Sequence, residues 1–161
     1  MDKEEVKAES LDQEANHIIE EARMVLPGIQ ALFGFQLIAV FNERFATDVP
    51  VAQQYLHLAA IIFVLLAILL IMAPAAYHRQ AEPGLISRYF TDLASRLLTG
   101  ALVPLLAGIA LEVFLVANII VKDAAASIAI AGSVCSVFVA LWFLFPRIKA
   151  KQRSALLRQS R

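Results

Sequence analysis

Apolar residues in this chain gather into four unbroken blocks, at residues 24–41, 58–77, 97–121 and 124–146. Each block is long enough to cross a hydrocarbon core of ~30 Å at ~1.5 Å per helical residue. The first carries Gln30 and Gln36 but no charge, and the third is interrupted by Glu112 and Asn118. Only Lys122 and Asp123 separate the third block from the fourth, so those two must form a tight helical hairpin. A backbone in lipid has to satisfy its own polar groups, and blocks of this length do so as helices. The pattern predicts an all-α polytopic membrane protein, a four-transmembrane-helix bundle.

Outside the blocks a helical period returns. Ser10 and Gln13 have the spacing of a capping box, and Leu11, Ala15, Ile18, Ile19 and Ala22 then share one face. This predicts an N-terminal amphipathic helix that runs on into the first span, with Pro27 permitting a kink. After Pro83-Gly84, the residues Ile86, Tyr89, Phe90, Leu93 and Leu97 make a second apolar stripe, with Arg88, Asp92 and Arg96 opposite. That stretch reads as an interfacial cytoplasmic helix between spans two and three. Small residues mark helix contacts in lipid. The stripe Gly100, Pro104, Gly108, Glu112 is therefore expected to face Ala125, Ala129, Gly132, Ser136 and Ala140. Span two, bulky all round, reads as a helix exposed to lipid.

Charge adds an orientation. The chain divides into an acidic segment at 1–23, the membrane domain at 24–146 and a basic tail at 147–161. The first segment carries eight acids against three bases, and the tail six bases and no acid, although the net charge is zero. Lys and Arg number twelve on the side of the two termini and the 77–96 loop, and two, Arg44 and Lys122, on the other. This bias puts the N- and C-termini in the cytoplasm of a multi-pass protein of the inner (plasma) membrane. It also predicts a single orientation, hence parallel packing of copies in any homo-oligomer. Hydrophobic residues make up 60% of the 161, above the ~45–50% of soluble domains. The acidic start, with no apolar run before Met24, argues against a cleaved signal peptide. A basic tail leaving a membrane span points to anionic lipid as its partner, and not to nucleic acid.

Reactive chemistry is sparse. Cys135 is the sole cysteine and sits among small residues, as a packing thiol does. His17, His57 and His78 lie at different depths, so no haem pair forms, and no zinc spacing, phosphate loop or nucleophile elbow occurs. Neither cofactor, metal nor enzymatic activity is expected. Glu112 stands out, because a carboxylate inside a span must face the bundle and be protonated or hydrogen-bonded. Gln36 lies at a similar depth, and with Asn118 completes a candidate proton or cation site.

Certain runs are more specific. Glu21-Ala22-Arg23, then Leu26-Pro27-Gly28-Ile29-Gln30-Ala31-Leu32-Phe33-Gly34-Phe35-Gln36-Leu37, followed by Phe41-Asn42, Phe45 and Ala73-Pro74-Ala75-Ala76-Tyr77-His78-Arg79, resemble a family of small four-helix bacterial membrane proteins of unknown function. Some members are loosely labelled sodium:proton antiporters, and the resemblance implies no activity beyond that label. Glu21, Arg23, His78 and Arg79 are read as interfacial charges, with ion pairs expected among Glu21, Arg23 and Arg79. Two function classes follow: proton- or cation-coupled transport by an oligomer, or a non-transporting scaffold or envelope sensor.

Overall fold

A computed structural model describes residues 10–159. The elements are α1 (Leu11–Val40), α2 (Glu43–Asp48), α3 (Val51–Ala81), α4 (Arg88–Val121), α5 (Ala124–Val139), a π-helical turn (Ala140–Leu144) and α6 (Phe145–Gln159). Four helices among the described residues are long and apolar enough to cross a membrane, and no strand occurs. The chain is a helical membrane protein. Its helices alternate in direction, so one end of the bundle carries the start of α1, the basic helix α6 and the α3–α4 link. The opposite end carries α2 and the α4–α5 turn.

Local chemistry sets the boundaries. The Ser10–Gln13 capping box forms, with Gln13 N–H donating to Ser10 Oγ at 3.3 Å and Ser10 N–H to Gln13 Oε1 at 3.2 Å. From there α1 runs unbroken through Pro27, so the amphipathic segment and the first span are one helix. Lys122 ends α4 in the left-handed region at φ 57°, and Asp123 starts α5 by accepting from the N–H groups of Ala125 and Ala126. Further on, the Phe145 N–H reaches back five residues to Ala140 O. The wider π turn absorbs the strain of Pro146, which lacks an N–H and crowds the carbonyl four residues before it. The helix therefore continues through the basic segment instead of stopping at 146.

The stretch 86–96 is not a separate interfacial helix. Ser87 Oγ accepts from Phe90 N–H at 3.0 Å and starts α4, which then runs without interruption to Val121. Its apolar stripe continues through Phe90, Ala94 and Ala101 to Leu105, and Ala15 of α1 covers Phe90 and Ala94. Protein covers the Phe90 and Ala94 side of the stripe, while Ile86 and Tyr89 stay exposed. The link before it is pinned by Glu82, whose Oε1 accepts from Tyr77 Oη–H at 3.0 Å and Ser87 Oγ–H at 2.9 Å. The Ser87 hydroxyl holds the Glu82 carboxyl below its usual range, against the opposing effect of burial. Gly84 makes the turn at φ 75°, a conformation that costs other residues.

The core overturns the expected helix pairing. Helix α3 packs one face into the bundle, burying His57, Ala60, Val64, Ala67, Ile71 and Pro74, while Ile62, Leu65, Leu66 and Leu69 on its other sides stay exposed, as expected of a lipid-facing surface. A Cβ on Gly108 would meet Val64 Cγ2 at 2.8 Å and Ala60 O at 3.1 Å, so the close approach of α4 is to α3. Ile29, Val64, Ala67, Ile71, Ala101 and Leu105 form the central cluster, with Trp142 packed on it. The fourth membrane helix turns Ser127 and Ala131 inward, while Ala125, Ala129, Gly132, Ser136 and Ala140 face outward. Bulk decides this: Val64 and Ile71 fill the groove beside small residues of α4, whereas the Ala/Ser face of α5 has little to bury.

Candidate functional site

Three membrane helices meet at Glu112. From α1, Gln36 donates its Nε2–H to Glu112 Oε1 at 2.8 Å. From α3, Nδ1 of His57 lies 2.9 Å from the same oxygen, and Nε2 of His57 lies 2.9 Å from the backbone carbonyl of Gln36. Gln36 and His57 are 4% and 5% exposed. The Glu112 side chain keeps 19% of its surface. Phe45 of α2 lies against the His57 ring, with centroids 5.1 Å apart.

Hydrogen-bond inventory fixes the proton count. A backbone carbonyl only accepts, so His57 Nε2 carries a proton. Between Nδ1 and Glu112 Oε1 there is then one further proton. Held on nitrogen it makes an imidazolium–carboxylate pair, and held on oxygen a neutral carboxyl donating to a neutral imidazole. Both forms have zero net charge, which is what a buried site tolerates. Moving that proton across 2.9 Å therefore leaves the charge of the site unchanged, whereas removing it leaves a buried anion. Gln36 Oε1, bonded to the same amide carbon as Nε2, has no hydrogen-bond partner among the described residues.

The way in from the hairpin end is short. A hollow of about 300 Å³ beside His57 is lined by Val40, Phe45, Gln54 and Tyr55 among others. Gln54 donates Nε2–H to Val49 O at 2.9 Å and Phe45 O at 3.4 Å, tying α2 across this hollow. Glu112 itself lies nine residues before the end of α4, ~14 Å along the axis at ~1.5 Å per residue.

The expected site residues divide. Glu112 and Gln36 come together, while Asn118 does not join them. Six residues further along α4, it sits ~120° round the helix from Glu112, and its carbonyl accepts the capping N–H of Lys122 at 2.9 Å. His57 is the residue that the sequence reading missed. Its position three residues before Ala60 and seven before Val64, on the buried face of α3, is the signal that would have found it. At the terminal end, Glu21, Arg23 and Arg79 form no ion pair with one another among the described residues. Arg23, His78 and Arg79 instead line one cleft. The nearest ion pair there joins Glu14 to Arg88 at 3.7 Å, with both side chains substantially exposed.

The model of a family of unknown function (DUF6328) matches residues 4–146. No curated protein and no solved structure matches the chain.

Proposed function

The chain belongs to this family of unknown function, and on that premise we propose that it is a proton-coupled transporter of the bacterial inner membrane. The carrying observation is the His57–Glu112 contact at 2.9 Å, closed on its far side by the Gln36 carbonyl. A site that holds one proton between two bases, within reach of a hollow at the membrane edge, is chemically a proton-binding centre. The unpaired Gln36 Oε1 supports the same reading, as an acceptor for water or a cation arriving when the proton leaves. The Lys and Arg bias puts both termini in the cytoplasm and the Glu112 site in the outer half of the membrane. Copies inserted in one orientation assemble in parallel, and the outward small-residue face of α5 allows close helix approach between them.

A second reading, a non-transporting scaffold or envelope sensor, draws on α6. That helix carries Arg147, Lys149, Lys151 and Arg153 on fully exposed turns, with Lys149 Nζ 5.9 Å from the Phe145 ring centroid. Such a helix suits anionic lipid or an acidic partner.

Proteoliposomes containing a pH-sensitive dye separate the two. The wild type should dissipate an imposed proton gradient in the presence of sodium or potassium, and Glu112→Gln should not. Wild-type vesicles that hold the gradient as tightly as empty ones under every cation condition would favour the scaffold.

A further inference from the structure

At the terminal end, a cleft of about 740 Å³ opens between α1, α3 and the start of α4. Its volume lies in the ~300–1,000 Å³ range of small-molecule sites. The body is apolar, built by Ile18 and Leu26 of α1, Ile71 and Ala75 of α3, and Ile86 and Phe90 around the α4 entry. Three side chains with positive or proton-donating character line it as well: Arg23, His78 and Arg79. No Asp or Glu lines it, and Glu21 contributes to the adjoining hollow on the other side of Ala22.

The three basic groups are not equivalent. His78 is engaged, with Nε2 at 3.1 Å from Leu85 O and its ring 5.1 Å from that of Phe90. Arg23 and Arg79 are exposed, and neither has an ion-pair partner among the described residues. Two helices thus direct an unpaired guanidinium each to one apolar cleft at the end of the membrane-spanning region. Guanidinium groups match phosphate oxygens in a bidentate fork. Basic pockets between membrane helices at this depth recognise anionic headgroups.

We infer that this cleft is a binding site for an anionic phospholipid, with an acyl chain lying along Ile18, Leu26 and Ile71 and the phosphate held between Arg23 and Arg79. The site is separate from the Glu112 centre at the opposite end, and from the basic α6 helix, which contributes no lining residue. It does not depend on the transport reading. A lipid bound there would tie α1 to α3 across a gap that the protein itself leaves unfilled.

Native mass spectrometry of the full chain in detergent tests this, with phosphatidylglycerol and phosphatidylcholine of identical chains as probes and inorganic phosphate as a third arm. Phosphatidylglycerol should remain bound preferentially. Arg23→Gln with Arg79→Gln should weaken it by ~30-fold, since each basic residue near a membrane surface contributes about a factor of five. Neutralising Lys149, Lys151 and Arg153 should leave the preference intact. Ala75→Trp, which fills the cleft and keeps both arginines in the chain, should lower binding of phosphatidylglycerol as well. Equal retention of the two lipids, an unchanged preference in the double arginine variant, or phosphate alone binding as well as the lipid would each overturn the assignment.

Discussion

Replacing Glu112 in two ways separates its structural part from its chemistry. In Glu112→Gln the new amide is nearly the same shape. Both contacts, of 2.9 and 2.8 Å, end on one atom, Oε1, so the amide keeps only one of them: its oxygen there still accepts the Gln36 Nε2–H, and the Nδ1 of a neutral His57 loses its donor. His57 keeps its proton on Nε2 for the Gln36 carbonyl. The expected stability change is ~1–3 kcal/mol, because one buried group, the His57 Nδ1, loses its partner. Glu112→Ala is different: it strands the His57 Nδ1 and the Gln36 Nε2–H, two groups in residues only 5% and 4% exposed. Each unsatisfied buried polar group costs ~1–3 kcal/mol, so ~2–6 kcal/mol is expected. The 19% exposure of Glu112 favours the lower half of that range. Thermal unfolding in detergent reads the difference at ~2–4 °C per kcal/mol for a chain of this size. Glu112→Gln, which strands one group, should melt roughly half as far below wild type as Glu112→Ala, which strands two. If Glu112→Gln is as unstable as Glu112→Ala, the pair needs both charges, and the argument that one proton is shared between neutral and ionic forms is wrong.

Four further outcomes follow. Gly108→Val, which forces branched carbons against Val64 and the Ala60 carbonyl, should lose ~1–3 kcal/mol by overpacking. Gly100→Ala and Gly132→Ala meet nothing within 4 Å and should be neutral or gain up to ~1 kcal/mol of helix propensity in the same melts. The Glu82 carboxyl is held below its usual value near 4.5 by Ser87, so its stabilising effect is complete above that pH and disappears as acid protonates it at still lower pH. The protection of backbone amides across the α3–α4 link, exchange being compared with the intrinsic rate at each pH, should therefore fall below about pH 4.5 in the wild type, and Ser87→Ala should shift that onset upward. Reporters fused at Arg161 and inserted near Asp48 should fall in opposite compartments, with Arg161 cytoplasmic; a substantial fraction of Arg161 fusions outside would refute the single orientation.

Long apolar blocks, the Ser10–Gln13 cap and the Lys122–Asp123 turn depend on neighbours in sequence, and each was legible there. So was the burden of Glu112, since the cost of a carboxylate in lipid depends on its depth in the span, which residue counting supplies. Which helix faces which was not legible, because it depends on how bulk and gaps on separate helices match. Helix α3 is exposed over Ile62, Leu66 and Leu69, as its composition implies, yet its other face brings Ala60 and Val64 against Gly108. The small residues of α5, which by composition mark a contact face, point away from the bundle. The stripe 86–96 has the period of a surface helix, and Ile86 and Tyr89 stay exposed, but only the position of Ala15 shows that protein covers Phe90 and Ala94. For the site the same division holds. Gln36 and Glu112 were matched by depth alone, whereas His57 lies just before the second apolar block and its ring reaches inward only because α3 starts at Val51 and turns that face to α1 and α4. Depth along a helix is a property of one segment and can be counted. The rotation of each helix about its axis is a property of all of them packed together, and that rotation puts the imidazole against the carboxyl.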